Sequence, residues 1–113
     1  MITFEVFVNK SGDYTGFRSR GHAQDAESGQ GVVCAWVSAV TQVALLGLTE
    51  EAKIPVSQKL DKKKGLLEVK LCQAPDERSR LILRPMVLVL EQLAKKCPKD
   101  VRFREHGGES TNV

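Results

Sequence analysis

The sequence lacks the cysteine pattern of a disulfide-stabilised domain or of a zinc site. Its 113 residues include three cysteines and two histidines, and Cys34, Cys72 and Cys97 are neither even in number nor closely paired. Such a set is typical of a reducing compartment rather than of a secreted scaffold. The C-x-x-C spacing of a structural zinc site is also missing, so we expect no metal and no other cofactor.

Targeting and phosphate-binding segments are missing as well. The chain starts directly in strand-like sequence, without the basic region that precedes the apolar core of a signal peptide. The longest apolar stretch, residues 32–48, contains polar side chains and is short for a membrane span. Gly29-Gln30-Gly31 is too short for a phosphate-binding loop. We therefore expect a soluble, cytoplasmic protein that does not contact a membrane.

Neither sign of charge is in strong excess. Seventeen Lys and Arg against 14 Asp and Glu leave a net charge of +3. This balance permits contact with nucleic acid but does not predict it, because nucleic-acid-binding domains usually concentrate more positive charge on one face. Two groups of basic residues are compatible with nucleic-acid contact. They are Lys62-Lys63-Lys64 in a predicted turn, and Arg102 with Arg104 on one face of a predicted strand. A lysine run in a turn is more often simply solvated.

The hydrophobic pattern predicts one α+β domain over residues 1–113, with the order β-β-α-β-β-α-β. Alternation of apolar and polar residues predicts five strands, at residues 2–8, 14–19, 54–60, 66–72 and 101–104. A helix is predicted from Val32 to Leu46, with Gly47 as its stop. A second follows Asp76-Glu77 and ends before Pro98, with Pro85 either kinking it or marking its start.

Two segments should be poorly ordered, and one helix should be covered. Residues 24–31 form a polar loop with nothing to anchor it, and residues 106–113 form a polar tail. The first helix is apolar almost all round, which indicates a position at the centre of a core or against a second subunit. We therefore expect a homodimer.

Candidate chemistry is concentrated in one segment. His22 closes a strand, a glycine-bearing loop follows, and Cys34 lies in the first turn of the predicted helix. The free N–H groups and the dipole at a helix start stabilise a thiolate, and a nearby histidine can accept the thiol proton. The same N–H groups can receive the oxyanion of an acyl-transfer intermediate. The simpler interpretation is a cysteine that packs in the core and a histidine that is solvated.

This segment resembles the signature of the ribosomal-processing cysteine proteases called Prp, and the similarity extends over nearly the whole chain. The matching residues are Gly21-His22-Ala23, Gly29, Val33-Cys34-Ala35 and Val37-Ser38-Ala39-Val40. The resemblance implies a homodimeric protease that removes a short N-terminal extension from large-subunit ribosomal protein twenty-seven. It also implies cleavage after a hydrophobic recognition sequence that contains aromatic residues.

Carried onto this sequence, the resemblance makes Cys34 the nucleophile and His22 the general base. Gly21, Gly29 and Ser38 become supporting or substrate-binding residues. Ser38 lies one helical turn after Cys34 and can face the same site. Its hydroxyl can equally bond back to the carbonyl of Cys34, as serines in helices often do.

The sequence departs from the family pattern at two positions of this segment. Gly31 stands where the family usually carries an aspartate, which can orient the histidine or complete the helix start. Asp25 or Glu27 in the loop could take that role. Trp36 stands where the family tends to have a small residue. The missing acid leaves an alternative open, a weakened or inactive homologue that acts in ribosome assembly or peptide binding.

Overall fold

In the computed structural model, which describes residues 1–21 and 30–107, two hairpins and a final strand build one five-stranded sheet. The elements follow the order β1 (Ile2–Val8), β2 (Tyr14–Arg20), α1 (Gln30–Leu46), a π-helical turn (Gly47–Glu51), β3 (Val56–Asp61), β4 (Leu66–Leu71), α2 (Glu77–Lys96) and β5 (Val101–Gly107). The sheet order is β3-β4-β2-β1-β5, with β5 parallel to β1 and the other pairs antiparallel. The predicted α+β class is confirmed.

The alternation in β1 decides which face of the sheet becomes the core. Ile2, Phe4, Val6 and Val8 are buried, and they share one hydrophobic cluster with residues of both helices. The ring of Phe4 stacks between Phe17 on β2 and Phe103 on β5, at centroid distances of 5.9 and 5.8 Å. Both helices therefore pack on the same face. The other face carries the alternate side chains Thr3, Glu5 and Phe7.

The second helix begins with a reciprocal cap. Asp76 accepts a hydrogen bond from the backbone N–H of Ser79, and the Ser79 hydroxyl accepts one from the N–H of Asp76, each at 3.0 Å. These bonds satisfy donors that a helix start leaves free. Pro85 lies well inside the helix, so the prediction that it marks the helix start was wrong.

The α-helix ends at Leu46, as predicted, but the chain does not leave the helical path at Gly47. The helical path continues through the π-helical turn, which carries the fully buried Leu48 into the core. A Cβ at Gly47 would lie 3.1 Å from the side chain of Ile82 on α2. The glycine therefore serves close packing between the helices rather than termination.

The last strand reaches further than the sequence indicated. His106 and Gly107 belong to β5, although the predicted polar tail began at residue 106. The imidazole stacks on Phe7 at 5.5 Å between ring centroids, and its Nε2 lies 2.8 Å from Oε2 of Glu5. These contacts hold the strand end on the sheet. Residues 108–113 of the predicted tail, and all of the predicted mobile loop except Gln30 and Gly31, lie outside the described residues.

The π-helical turn also lengthens the apolar helical segment. Residues 31–51 are long and apolar enough to cross a membrane by length and composition, with a mean hydropathy of 1.9. The segment is thus longer than the sequence indicated. The core helix of a soluble protein meets the same criterion, and here Val33, Val37 and Leu48 belong to the hydrophobic cluster. The segment is therefore weak evidence for a membrane span.

A buried carboxylate holds three strands together on the face away from the helices. Glu5 is 2% exposed and accepts hydrogen bonds from Arg18 at 2.8 and 3.1 Å and from Arg20 at 3.1 Å. The hydrogen bonds from Arg18, with smaller contributions from His106 and Arg20, lower the pKa of Glu5 from 4.5 to about 2 against the opposing effect of burial. Its ion pairs therefore contribute stability mainly when the carboxylate is charged.

This lowered pKa predicts a specific loss of stability in acid. The contribution of Glu5 is fully present above pH 4.5 and is lost as the pH falls toward 2, because the unfolded chain then binds the proton more tightly. We expect Glu5 to contribute about 2 kcal/mol to the free energy of unfolding. This is less than the full pKa shift implies, because Arg20 is half exposed and its charge is screened by water. Denaturant unfolding at pH 6, 4 and 2.5 measures it. Glu5→Gln should be less stable than the wild type at pH 6, yet its free energy of unfolding should fall less on acidification. The exposed control Glu51→Gln should show the same pH dependence as the wild type.

Candidate active site

Cys34 is the fifth residue of α1, because the helix begins at Gln30. The prediction that it lies in the first turn was therefore wrong by one turn. The first four N–H groups of a helix have no partner inside it, so the free donors belong to the residues that precede Cys34. The dipole effect falls off beyond the first turn, and a thiolate at Cys34 therefore depends more on a neighbouring base.

A cleft of about 220 Å³ brings Cys34 together with Gly21 and Ser38. The thiol is half-buried at its edge, and the rest of the cleft is formed by β1, α1 and the β3–β4 hairpin. Three of the five predicted site residues therefore share one cavity. His22 and Gly29 lie outside the described residues.

Gly21 has a backbone reason to be glycine. Its φ of +104° lies in the left-handed region, and a Cβ there would come within 2.2 Å of the carbonyl oxygen of Met1. Only glycine fits this conformation without displacing the start of β1. The chain consequently leaves β2 at the cleft, one residue before His22.

Two roles were open for Ser38, and within residues 1–21 and 30–107 it makes no hydrogen bond back to the carbonyl of Cys34. Its side chain is exposed in the cleft. Thr41, one turn further and fully buried, is the residue that bonds backward, to the carbonyls of Val37 at 2.9 Å and Ser38 at 3.0 Å. The Ser38 hydroxyl is therefore available to a substrate.

Sequence reasoning missed the wall of the cleft opposite Cys34. This wall is the end of the β3–β4 hairpin, where Leu60, Leu66 and Leu67 are joined by Asp61, Lys62 and Gly65. Leu60 is 63% exposed, which is unusual for a leucine that has no partner to cover it. The Asp61 carboxylate accepts bonds from the N–H groups of Lys63 and Lys64 at 3.0 and 3.2 Å. The lysine run therefore lies at the edge of the cleft.

This arrangement offers a thiol, a free hydroxyl and an apolar wall with a charged rim. It suits an extended peptide that places an apolar side chain beside Leu60 and its carbonyl carbon near Cys34. The sequence marks Leu60 only as a leucine beside a turn, and its exposure is seen only in the structure. The pairing of β4 with β2 across the sheet could not be read from local patterns.

The two remaining cysteines lie elsewhere. Cys72 is exposed just after β4, and Cys97 caps α2 and packs against the core. Neither lines the cleft around Cys34. Within the described residues, no group of three or more His, Cys, Asp or Glu side chains is placed to hold a metal ion.

The two residues that depart from the family pattern, Gly31 and Trp36, lie in different places on α1. Gly31 lies in the first turn of α1, and that turn contains no acidic residue. Trp36 is 58% exposed and lines a second, apolar groove between α1 and α2. Trp36 is thus remote from the cleft, whereas residue 31 lies one turn before Cys34 on the same side of the helix.

Comparison with known proteins identifies the family of the chain. The family model described as "Cysteine protease Prp" matches residues 1–102. The ribosomal processing cysteine protease Prp of Staphylococcus aureus is 30% identical over 106 residues, which are 91% of this chain and 97% of that protein.

Two solved structures have the same fold. SMU.848 from Streptococcus mutans aligns with a TM-score of 0.85 at 25% identity, over 95% of this chain and 98% of its own. The Staphylococcus aureus Prp in complex with a substrate peptide gives a TM-score of 0.85 at 24% identity, over 93% and 99% of the two chains.

Proposed function

The chain belongs to the Prp family of ribosomal processing cysteine proteases, and from this premise we propose that it removes the N-terminal extension of large-subunit ribosomal protein twenty-seven. The observation that carries the proposal is the cleft that holds Cys34 together with Gly21, the residue directly before His22. A half-buried thiol beside an exposed leucine wall suits attack on a peptide with an apolar side chain near the scissile bond.

The proposed reaction uses a Cys34/His22 dyad. His22 takes the proton of the thiol, and the thiolate attacks the scissile carbonyl to form a tetrahedral oxyanion. The free N–H groups at the start of α1 are the candidate donors to that oxyanion. The imidazolium then gives its proton to the leaving amine, and water hydrolyses the Cys34 thioester to release the acid and restore the thiol.

The test is direct cleavage of the precursor. The purified chain is incubated under reducing conditions with the full-length ribosomal protein from the same organism, and the products are analysed by intact-mass spectrometry. We expect one cut that leaves a shortened protein and a short N-terminal peptide ending in an aromatic-containing apolar sequence. A protein that already starts after that sequence is the control and should stay uncut. A precursor that remains intact at equimolar enzyme would contradict the proposed substrate.

An alternative function is that of a binding protein in ribosome assembly. The observation that favours it is the first turn of α1, where Gly31 replaces the family acid and no other acid is present. A chain with this function should bind the precursor peptide with the same affinity before and after prolonged incubation, and without any change in its mass. Turnover of the precursor would exclude this alternative.

We also propose that the protein is a cytoplasmic homodimer and that the apolar groove between α1 and α2 is its interface. The groove has a volume of about 540 Å³ and is lined by Trp36, Val43, Ile82, Met86, Val89 and other apolar residues. In a two-fold dimer each copy presents the same patch, so the exposed Trp36 ring of one copy can fill the groove of the other. Exposed apolar patches of this kind typically mark protein–protein interfaces.

The proposed cytoplasmic location rests on the three unpaired thiols, which the cytoplasm keeps reduced. Localisation of a tagged chain tests it.

Trp36→Glu should convert the dimer into a monomer. A charge buried without a partner in an apolar interface costs far more than the same charge on a monomer surface. Light scattering at micromolar concentration should show twice the chain mass for the wild type and a single chain mass for the variant. Leu60→Glu, at an equally exposed leucine outside the groove, should remain dimeric. A monomeric wild type would exclude the dimer, and a dimeric Trp36→Glu would exclude this interface.

A further inference from the structure

The sheet has one face that no helix of the described residues covers. Both helices pack on the face of Phe4 and Val6. The other side therefore carries the alternate residues of β1, which are Thr3, Glu5 and Phe7. We call this side the open face. It spans five strands, or about 19 Å at the usual strand spacing.

Strand register places a row of alternating charges across the open face. From edge to edge the paired residues are Lys59, Glu68, Arg18, Glu5 and Arg104. Arg18 joins the two acids, with its Nε 2.8 Å from Glu5 and its Nη1 3.4 Å from Glu68. Both acids are therefore engaged by arginine, while the row ends in the exposed Lys59 and Arg104.

The neighbouring rows add positive charge. Thr3 is paired with Arg20 on one side and Arg102 on the other, and Lys70 lies opposite Ser57. The open face thus carries six Lys and Arg against three acids, Glu5, Glu68 and Asp61. Its excess of three positive charges equals the net charge of the whole chain, +3. Arg102 and Arg104 form no ion pair with any other residue of the described part. The charge is therefore concentrated here, as the overall balance did not indicate.

The same face has planar groups and a depression. The guanidinium of Arg18 lies 5.4 Å above the ring of Phe7, which also stacks against His106 at 5.5 Å. A cavity of about 580 Å³ next to this stack is lined by Arg18, Arg20, Lys59 and Lys64, with Glu68 as its acid. Proteins that bind single-stranded nucleic acid combine such basic surfaces with planar side chains on which bases stack.

We propose that the open face binds single-stranded RNA. Unpaired arginines contact phosphates, and the Arg18–Phe7–His106 stack supplies planar surface for an unpaired base. An acidic peptide or an anionic membrane would use the charge but not the planar groups, since the apolar ring of Phe7 is engaged by Arg18 and His106. The surface lies on the side of the sheet away from α1, so the proposal does not depend on the peptidase function.

Arg102→Glu/Arg104→Glu tests the proposal. The probe is a fluorescein-labelled, mixed-sequence single-stranded RNA of 15 nucleotides, measured by fluorescence anisotropy from 50 to 200 mM salt. We expect the wild type to bind and the variant to bind at least tenfold more weakly, with a salt slope reduced by about 1.4 because two phosphate contacts to a single strand are lost. The matched control is Lys95→Glu/Lys96→Glu, the same charge change at the end of α2, and it should bind like the wild type.

The other outcomes exclude the proposal. Equal weakening by both double variants would mean that only net charge matters. Equal binding of polyglutamate would assign the face to acidic peptides, and binding to phosphatidylserine vesicles without binding to RNA would assign it to a membrane. Circular dichroism of each variant confirms folding, since the replaced side chains are exposed. Because Arg102 and Arg104 do not line the cleft around Cys34, Arg102→Glu/Arg104→Glu should keep the peptidase rate of the wild type.

Discussion

Cys34→Ala should abolish cleavage of the ribosomal-protein precursor, with a fall in rate of at least about 10⁴-fold. In the proposed mechanism the thiolate forms the covalent bond to the substrate, and removal of a catalytic nucleophile leaves only the catalysis that comes from binding and oxyanion stabilisation. The side chain is half-buried and small, so its loss should change stability by about 1 kcal/mol or less. The variant therefore stays folded and able to bind the peptide.

The other cysteines supply the matched controls. Cys72→Ala removes an exposed thiol and Cys97→Ala removes a half-buried one at the end of α2, and both should cleave within about twofold of the wild type. Single-turnover rates, followed by mass spectrometry, separate a chemical defect from a binding defect. Retained cleavage by Cys34→Ala would move the nucleophile elsewhere. Trapping of a thioester or alkylated adduct on Cys34 in the wild type would confirm its role independently.

Local patterns predicted the elements of this fold but not every boundary. Alternation in residues 2–8 identified β1 and its buried face, and the acidic pair Asp76-Glu77 marked the start of α2. Gly47 misled because its role is set by Ile82, a contact 35 positions further along the chain. His106 misled because a polar residue near a terminus gives no sign of its contacts with Glu5 and Phe7, about 100 positions earlier. In both cases a distant contact outweighed a local propensity.

For the candidate site, too, local sequence predicted some residues and missed those that depend on distant contacts. Cys34, Ser38 and Gly21 were predicted from one short segment, and the structure brings them to one cleft. The apolar wall beyond them comes from the β3–β4 hairpin, which reaches the cleft because β4 pairs with β2 through contacts such as Phe17 with Val69. Strand pairing across 50 positions is decided by the whole sheet, so the residues that would select a substrate could not be named from sequence alone.

Gly31→Asp should raise the cleavage rate at least tenfold. The substitution restores the acid that the family usually carries, at a helix start that contains none. There a carboxylate is favoured by the dipole, and the flexibility cost of a helical glycine, about 1 kcal/mol, is removed. A carboxylate that orients the histidine and stabilises its imidazolium is worth about 10⁴-fold in a serine triad. We expect a smaller gain because the proposed Cys34/His22 pair does not require an acid for either proton transfer.

An opposing effect makes this prediction demanding. An aspartate at position 31 lies one turn before Cys34, and its negative charge disfavours the thiolate. We expect the orientation of His22 to dominate, since in the proposed mechanism the imidazolium both pairs with the thiolate and protonates the leaving amine. Profiles of kcat/KM against pH for Gly31→Asp, Gly31→Asn and Gly31→Ala separate the effects, because asparagine keeps the shape without the charge. An equal gain in all three would reduce the effect to helix stability. A lower rate for the aspartate alone would show that the repulsion dominates and would contradict the prediction.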